Sequence, residues 1–300
     1  MRLSPHAIPC PGIGVVLPSF SMLKRLQQLI HREDSQLMPT VKGIGFDLFG
    51  TLVLQERFSF EQCLGNLYHS LLTSGFALEQ QRFVEVYRQV NRRCMDQATA
   101  DGRETHNRFW VAGALQALDY TVTPEDPRVQ QAVDEYFEPF ITCCQLIPGT
   151  REMLTNVAGR YRIALVSNFT HPPAVEQILA RVGIGQFFDE ILISGQLGVR
   201  KPHLAMFAEL MRRLKLTPED IVFVGDELQT DIVGAQEAGL RTVWMTYRQR
   251  LERPSPLGQF LGVSEPEEGV RPDHVVANWS EFLAILGWRE AEHSADATSW

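Results

Sequence analysis

Lysine is scarce in this chain. Only Lys24, Lys42, Lys201 and Lys215 occur among 300 residues, and the arginines are scattered rather than clustered. The formal net charge is -8 at pH 7. Because proteins bind nucleic acid through clustered positive charge, the sequence argues against nucleic acid as a partner.

Cysteine and long apolar runs are also in short supply. The chain has 5 cysteines, an odd number, and no two of them have the CxxC spacing. A zinc site or a disulfide framework is therefore not indicated, and we predict buried thiols in a reducing cytoplasm. No apolar stretch approaches the length that spans a bilayer, so we predict no membrane partner.

The overall composition is that of a globular protein, with 44% hydrophobic and 21% charged residues. Three hundred residues allow a core domain and a modest second module. Prolines interrupt the weakly apolar start of the chain, and we predict a disordered extension over residues 1–40. The polar residues 287–300 lack periodicity and predict a frayed tail.

Six short segments predict β-strands from residue 41 onward. Most are near-continuous apolar runs, which suits a parallel sheet that is covered on both faces. Amphipathic helix patterns alternate with them, which predicts the α/β class with a doubly wound, Rossmann-like parallel sheet. The predicted strands are 41–47, 162–167, 190–194, 221–225, 241–246 and 274–277.

The first two predicted strands are separated by roughly 110 residues, far more than one crossover helix requires. This gap has no convincing strand pattern but four amphipathic helix patterns, which can bury their apolar faces against one another. We therefore predict an inserted α-helical cap over residues 55–143, with the core formed by residues 41–54 and 144–286. Phe109 and Trp110 are predicted to lie in the cap interior.

Two acidic residues follow predicted strands directly. Asp47 ends the first strand, and Asp226 follows the strand that closes with Gly225. Parallel strands place their carboxyl ends at one edge of a sheet, which is where open α/β sheets bind ligands. Carboxylate oxygens are the ligands that Mg²⁺ prefers, so the pair predicts a magnesium site. Asp226 as a simple helix cap is the alternative.

Further polar residues occur at comparable positions. Lys201 stands at a loop-to-helix junction, where a cation would neutralise a nucleophile and a transferring anionic group. Ser167 ends the second strand, and its hydroxyl together with the turn at Asn168 can hold phosphoryl oxygens. The alternatives are a solvated lysine and a simple turn after the strand. We predict that Thr51 and Asn168 contact the substrate.

Taken in order, these motifs resemble the haloacid dehalogenase (HAD)-like hydrolase superfamily, in the type with a helical cap. The resemblance rests on Gly45 to Leu52, Ser167-Asn168, Lys201-Pro202 and Gly225-Asp226 with Asp231. The resemblance implies that Asp47 is the nucleophile, with Ser167 and Lys201 as the other catalytic residues. It also implies that the backbone carbonyl of Phe49 joins Asp47 and Asp226 as a Mg²⁺ ligand, and that Asp231 supports the site without binding the metal.

Phe49 departs from the phosphatase pattern of that family. Such phosphatases have a second aspartate at this position, and phenylalanine cannot transfer a proton. The main prediction is a phosphatase for a small phosphorylated metabolite. The alternatives are a 2-haloacid dehalogenase, in which relatives often have an aromatic residue here, and a non-catalytic binding protein. A phosphonatase is excluded because it needs a cap lysine, and residues 43–200 contain none.

Several polar residues near these motifs are predicted to be solvated. Arg200 and His171 are interpreted as surface residues. A dehalogenase would need a cap arginine to hold the halide, and Arg82, Arg88, Arg92 and Arg93 are the candidates, without an assigned role. Arg57, Arg92, Arg93 and the loop 101–104 could also face a substrate, although exposed helix faces are the favoured interpretation.

Overall fold

The computed structural model describes Met38 and residues 41–251 and 269–288. The predicted extension lies outside the described residues except for Met38. The predicted tail lies outside them from residue 289 onward.

Six parallel strands form the central sheet, in the order β5-β4-β1-β6-β7-β8. Every strand predicted from the sequence is present, and the predicted fold class is confirmed. The strands of this sheet are β1 Gly43–Phe46, β4 Arg162–Ser167, β5 Glu190–Ile193, β6 Ile221–Gly225, β7 Arg241–Met245 and β8 His274–Val276. Strand β1 lies between β4 and β6, with Phe46 paired to Leu165 on one side and to Val224 on the other.

Both faces of the sheet are covered, which explains why most of its strands are near-continuous apolar runs. In β4, Ile163 and Leu165 belong to one buried cluster, whereas Ala164 and Val166 belong to another. Strand side chains alternate between faces, so each strand contributes to two hydrophobic layers.

Helices pack around the sheet and form the insertion. Their bounds are α1 Phe60–Thr73, α2 Gln80–Asp101, α3 Asn107–Gln116, α4 Pro127–Cys143, α5 Thr150–Val157, α6 Pro172–Val182, α7 Ser194–Leu197, α8 Leu204–Leu214, α9 Gly234–Glu237, α10 Tyr247–Arg250 and α11 Trp279–Ile285. Two 3₁₀ turns, Gly185–Phe187 and Pro218–Asp220, and a π-helical segment, Leu228–Val233, complete the elements of the described residues. None of the helices in that part of the chain is both long and apolar enough to cross a membrane.

The insertion between β1 and β4 contains the four helices α1 to α4, as the sequence patterns predicted. Two strands border them, β2 Val53–Gln55 and β3 Cys144–Leu146, which pair antiparallel. The expectation that this gap has no strand was therefore wrong, because three-residue strands are too short to give a periodic signal. The limits 55–143 for the cap stay a prediction.

The interior of the cap differs in one respect from the prediction. Trp110 is buried, but Phe109 is 43% exposed. Neighbouring residues of an α-helix point in directions about 100° apart, so only one of the two rings can face the bundle.

Candidate active site

The carboxyl ends of three adjacent strands bring the predicted site residues together. Asp47 follows β1, Ser167 ends β4, and Asp226 follows β6. Oxygen atoms from Asp47, Asp226 and Asp231 all lie within 4.8 Å of one another, and all three side chains are buried. Residues far apart in sequence thus meet at one edge of the sheet, as the strand pattern predicted.

Asp47 is held by two donors. The Thr51 hydroxyl donates to Oδ2 over 3.0 Å, and the Lys201 ammonium lies 2.8 Å from Oδ1. Thr51 stands in the turn that leads to β2, four residues after Asp47. Both oxygens of the carboxylate are therefore oriented by the chain itself. Substrate contact by Thr51 stays a prediction.

Lys201 is the most enclosed cation of the site, with 1% of its surface exposed. Its ammonium also lies 2.7 Å from Asp231 Oδ1, so it bridges two carboxylates. Burial opposes its charge, but the carboxylates of Asp231 and Asp47 outweigh burial and raise the pKa of Lys201. The solvated alternative for this lysine is thereby wrong.

The Lys201 backbone is fixed by the loop after β4. Its amide donates to Asn168 Oδ1 over 2.8 Å, and Asn168 Nδ2 donates back to the Lys201 carbonyl over 2.9 Å. The Asn168 side chain thus ties the loop of Ser167 to the loop of Lys201. Its predicted substrate contact is not tested by this pairing.

Asp226 sits against the loop that follows Asp47. Gly50 has a φ of 90°, and a Cβ added there would lie 2.1 Å from Asp226 Oδ2. Only glycine permits that approach in that backbone conformation. The Asp226 carbonyl accepts from Trp244 Nε1 over 2.9 Å and from Gln249 Nε2 over 2.7 Å, which fixes its backbone.

Arg248 is a site residue that the sequence interpretation missed. Its Nε lies 2.5 Å from Asp226 Oδ2, and its Nη2 lies 2.6 Å from Glu227 Oε1. The signal was available, because Arg248 lies just beyond the carboxyl end of β7, the neighbour of β6. The position at the carboxyl end of a strand, which predicted Asp47 and Asp226 as site residues, also indicates Arg248.

The site has more negative than positive groups. Within the part of the chain that the structure describes, Lys201 and Arg248 are the cations that form ion pairs with Asp47, Asp226, Glu227 and Asp231. Burial raises the pKa of Asp47 to about 7, with Lys201 opposing the shift. Burial likewise raises the pKa of Asp226 to about 7, against the effect of Arg248. The buried carboxylates are thus incompletely neutralised by the chain.

Several buried polar atoms at the site lack a hydrogen-bond partner within the described residues. Asp226 Oδ1 and the hydroxyl oxygen of Ser167 are among them. Buried polar groups are nearly always satisfied, so an unsatisfied pair at a ligand-binding edge indicates positions that a ligand completes. Ser167 is suited to an oxyanion, and Asp226 Oδ1 to a cation.

Phe49 belongs to an aromatic cluster, which we define as Phe49, Phe58, Phe137, Phe140 and Phe169. The Phe49 ring centroid lies 4.9 Å from that of Phe169 and 5.3 Å from that of Phe140. The cluster joins the loop after β1, the loop after β4 and helix α4 of the insertion. Phe49 is therefore a packing residue of the core–cap contact.

Two polar residues near the site are buried and the side chain of a third is enclosed, contrary to prediction. His171 is 5% exposed, because it stacks on Phe137 and lies 2.9 Å from Asp134. Burial lowers the pKa of His171 to about 4. Arg200 is also 5% exposed, and the side chain of its partner Glu104, in the loop 101–104, is 1% exposed. Each was misjudged because its partner is remote in sequence.

The comparison with known families decides what kind of protein this is. The profile of haloacid dehalogenase-like hydrolases matches residues 41–239. The chain belongs to this family. A second profile, described as HAD-hydrolase-like, matches residues 198–281. The predicted family and the predicted hydrolase class are confirmed.

Individual HAD relatives span most of the chain. A glyceraldehyde 3-phosphate phosphatase of Pyrococcus furiosus is 31% identical over 183 residues, covering 61% of this chain and 69% of that protein. One of Methanopyrus kandleri is 28% identical over 247 residues, covering 82% of this chain and 97% of that protein. A crystal structure of a 2-haloacid dehalogenase of Pseudomonas syringae superposes with a TM-score of 0.59 at 24% identity, covering 82% and 98% of the two chains, which shows a shared fold.

Proposed function

We propose that this HAD-family protein is a Mg²⁺-dependent phosphatase that acts on a small phosphorylated metabolite. The observation that carries the proposal is the environment of Asp47, whose carboxylate is oriented by Thr51 and Lys201 at the carboxyl end of β1. The relatives in Pyrococcus furiosus and Methanopyrus kandleri are named for glyceraldehyde 3-phosphate, which favours a small sugar phosphate as the substrate.

The donor set fits a divalent cation. Asp47 and Asp226 supply hard oxygen ligands, and Asp226 Oδ1 lacks a hydrogen-bond partner among the described residues. In that part of the chain the carboxylates of the site outnumber the cations that pair with them. The predicted carbonyl of Phe49 would add a further oxygen, and Asp231 is engaged with Lys201 instead. When bound, Mg²⁺ supplies positive charge that stabilises the transferring group.

The chain's own residues account for the nucleophilic step. Asp47 forms a P–O bond in line as the bond from phosphorus to the leaving oxygen breaks, which gives an aspartyl-phosphate. Lys201 and the Ser167 hydroxyl hold oxygens of the transferring phosphoryl group. The leaving oxygen takes a proton from solvent. A water then attacks phosphorus as the P–O bond to Asp47 breaks and gives up a proton to solvent, which releases inorganic phosphate and restores the Asp47 carboxylate.

Phe49 restricts which leaving groups are easy. Its ring is packed against Phe140 and Phe169, so no proton donor stands at this position. General acid–base help contributes about 10²–10⁴-fold, and without it the rate depends more on the stability of the leaving group. Phosphates with acidic leaving groups should therefore react fastest.

The dehalogenase is a second candidate because of the same residue. A halide leaves carbon without protonation, so Phe49 would carry no penalty. However, the four cap arginines that could hold a halide, Arg82, Arg88, Arg92 and Arg93, are all exposed on helix α2. This arrangement favours the phosphatase.

The deciding experiment measures phosphate release from p-nitrophenyl phosphate and from glyceraldehyde 3-phosphate, with Mg²⁺ and with EDTA. Asp47→Asn should reduce kcat at least about 10³-fold, since the amide is not a nucleophile. Asp96→Asn, on an exposed face of α2, is the matched control and should retain full activity.

Chelation should abolish phosphate release by the wild-type protein. Chloride release from 2-chloropropionate that persists in EDTA would replace the phosphatase with the dehalogenase. Inactivity of the wild-type protein on both substrate classes would favour a binding protein.

A further inference from the structure

The cap and the core are joined by a short backbone pairing beside the site. We call residues 102–105, which follow helix α2, the docking segment. Arg103 and Val199 form an antiparallel bridge. The amide of Glu104 donates to the Gly198 carbonyl over 3.0 Å, and the amide of Arg200 donates to the Gly102 carbonyl over 3.0 Å.

Close approach at the start of the docking segment depends on a glycine. Gly102 has a φ of 67°, and a Cβ added there would lie 2.7 Å from the His203 ring. The cap backbone therefore lies directly on the loop that contains Lys201.

Glu104 is the buried anchor of this contact. Its Oε2 accepts from the Ser194 hydroxyl over 2.6 Å, and its Oε1 accepts from the Thr105 amide over 2.9 Å. Arg200 Nη1 lies 3.6 Å from Oε1 and has no hydrogen-bond partner within the described residues. The buried charge of Arg200 is thus compensated by Glu104, and removing one partner of such a pair leaves an uncompensated ion.

The core side of the contact is adjacent to the catalytic machinery. Arg200 precedes Lys201, whose ammonium joins Asp47 to Asp231. Ser194, the partner of Glu104, also accepts from the amide of Phe169 over 2.8 Å. Phe169 lies in the loop that follows Ser167, the last residue of β4. Glu104 therefore contacts the loop of Lys201 directly and is linked to the loop after β4 through Ser194.

Two other cap side chains contact the loop after β4. Asn107 hydrogen-bonds to the Thr170 hydroxyl, and Asp134 lies 2.9 Å from His171. The side chains of Glu104, Asn107 and Asp134 thus connect the cap to the loops that follow Ser167 and precede Lys201. Through these loops the cap is linked to the predicted catalytic residues.

We propose that Glu104 is a positioning residue, which holds the loop 198–201 against the docking segment and thereby fixes the Lys201 ammonium at Asp47. The proposal rests on the proposed function for its kinetic consequence. Its structural consequence, the ordering of the loop, can be measured without any substrate.

The test uses Glu104→Gln, which keeps the shape but removes the charge that compensates Arg200. We expect amide hydrogen exchange at Arg200 and Lys201 to accelerate at least about fivefold, while β6 and α8 are unchanged. With p-nitrophenyl phosphate and Mg²⁺, kcat should fall about tenfold and KM should change less than about twofold, because Lys201 acts on the transferring group.

Glu209→Gln is the matched control, because Glu209 also pairs with arginines but on the surface of α8, away from the site. It should alter neither the exchange at residues 200–201 nor kcat. If Glu104→Gln is not obtained folded, Glu104→Asp retains the charge on a shorter side chain and should shift the same amides by a smaller factor.

A lowered melting temperature, with exchange raised evenly over cap and core and kcat unchanged, would overturn the proposal. Glu104 would then only stabilise the fold. If no variant of the protein releases phosphate, the proposed function fails, while the exchange at residues 200–201 still decides whether Glu104 orders the loop.

Discussion

The sheet edge and the cap use buried side chains in opposite ways. At the edge, Asp47, Lys201 and Asp231 are each less than a tenth exposed and are paired with one another, and the equally buried Asp226 is paired with Arg248. The described helices of the cap bury mainly aromatic and aliphatic groups against each other, and their arginines on α2 are exposed. Buried charges are costly unless they are paired, and buried ionisable groups with shifted pKa values cluster at functional sites. The concentration of such groups at the sheet edge therefore indicates that the reactive groups belong to the core.

Removing Asp226, which we propose as a metal ligand, is expected to be the largest perturbation of this contrast. Burial raises the pKa of Asp226 to about 7, above its ordinary 3.8. Between these two values the folded state binds more protons than the unfolded state, so the stability of the metal-free protein falls as pH rises. A cation that neutralises the ionised carboxyl should restore it.

We therefore expect Mg²⁺ to raise the melting temperature by at least about 3 °C at pH 7.5 and by less at about pH 5. Asp226→Asn should abolish this shift and reduce kcat at least about 10³-fold. Differential scanning fluorimetry at the two pH values is the measurement. A Mg²⁺ shift of equal size in the variant would place the metal elsewhere.

Phe49 lies in the loop after β1, beside the site, but it packs against aromatic side chains as the interior of the cap does. Phe49→Asp should raise kcat for glycerol phosphate roughly 10-fold or more, which is less than the full acid–base effect because the aromatic cluster loses contacts. The gain should be smaller for p-nitrophenyl phosphate, whose leaving group needs no proton.

The matched control is Phe49→Asn, which has the same shape as the aspartate but cannot transfer a proton. Equal gains in the two variants would show that relief of packing is responsible. No gain in either variant would mean that acid–base help comes from another group, or that phosphate is not the substrate.

The smallest effect is expected on the cap surface. Arg92→Ala and Arg93→Ala remove exposed side chains from α2, and kcat/KM should stay within roughly twofold of the wild-type value. Steady-state kinetics would detect a change. A tenfold loss in either variant would show that the cap contributes charge to substrate binding.

The sequence was most informative where structure follows from local pattern. The six strands of the sheet were predicted because they are apolar on both faces, and Asp47, Ser167 and Asp226 were found because they end or follow such strands. The roles of these residues in binding and catalysis stay predictions. The four cap helices were found from their apolar periodicity.

What failed depends on partners that are remote in sequence. Glu104 and Arg200 look solvated in isolation, but their side chains are enclosed where the two segments meet, and each has the other as an ion-pair partner. His171 is hidden by stacking on Phe137, which a pattern of single residues does not show. The position of Arg248 just beyond strand β7 could be predicted from the sequence, but its salt bridge to Asp226 could not.

The antiparallel pair β2–β3 has a consequence for modularity. Leu54 lies opposite Gln145, so the helical insertion leaves the core and re-enters it at the same place. A segment with adjoining ends can be exchanged for one of different length without moving the strands that hold Asp47 and Asp226. The strands that hold Asp47 and Asp226 are in this sense independent of the inserted domain, and a replacement insertion would need to keep the contact through which Glu104 holds the Lys201 loop.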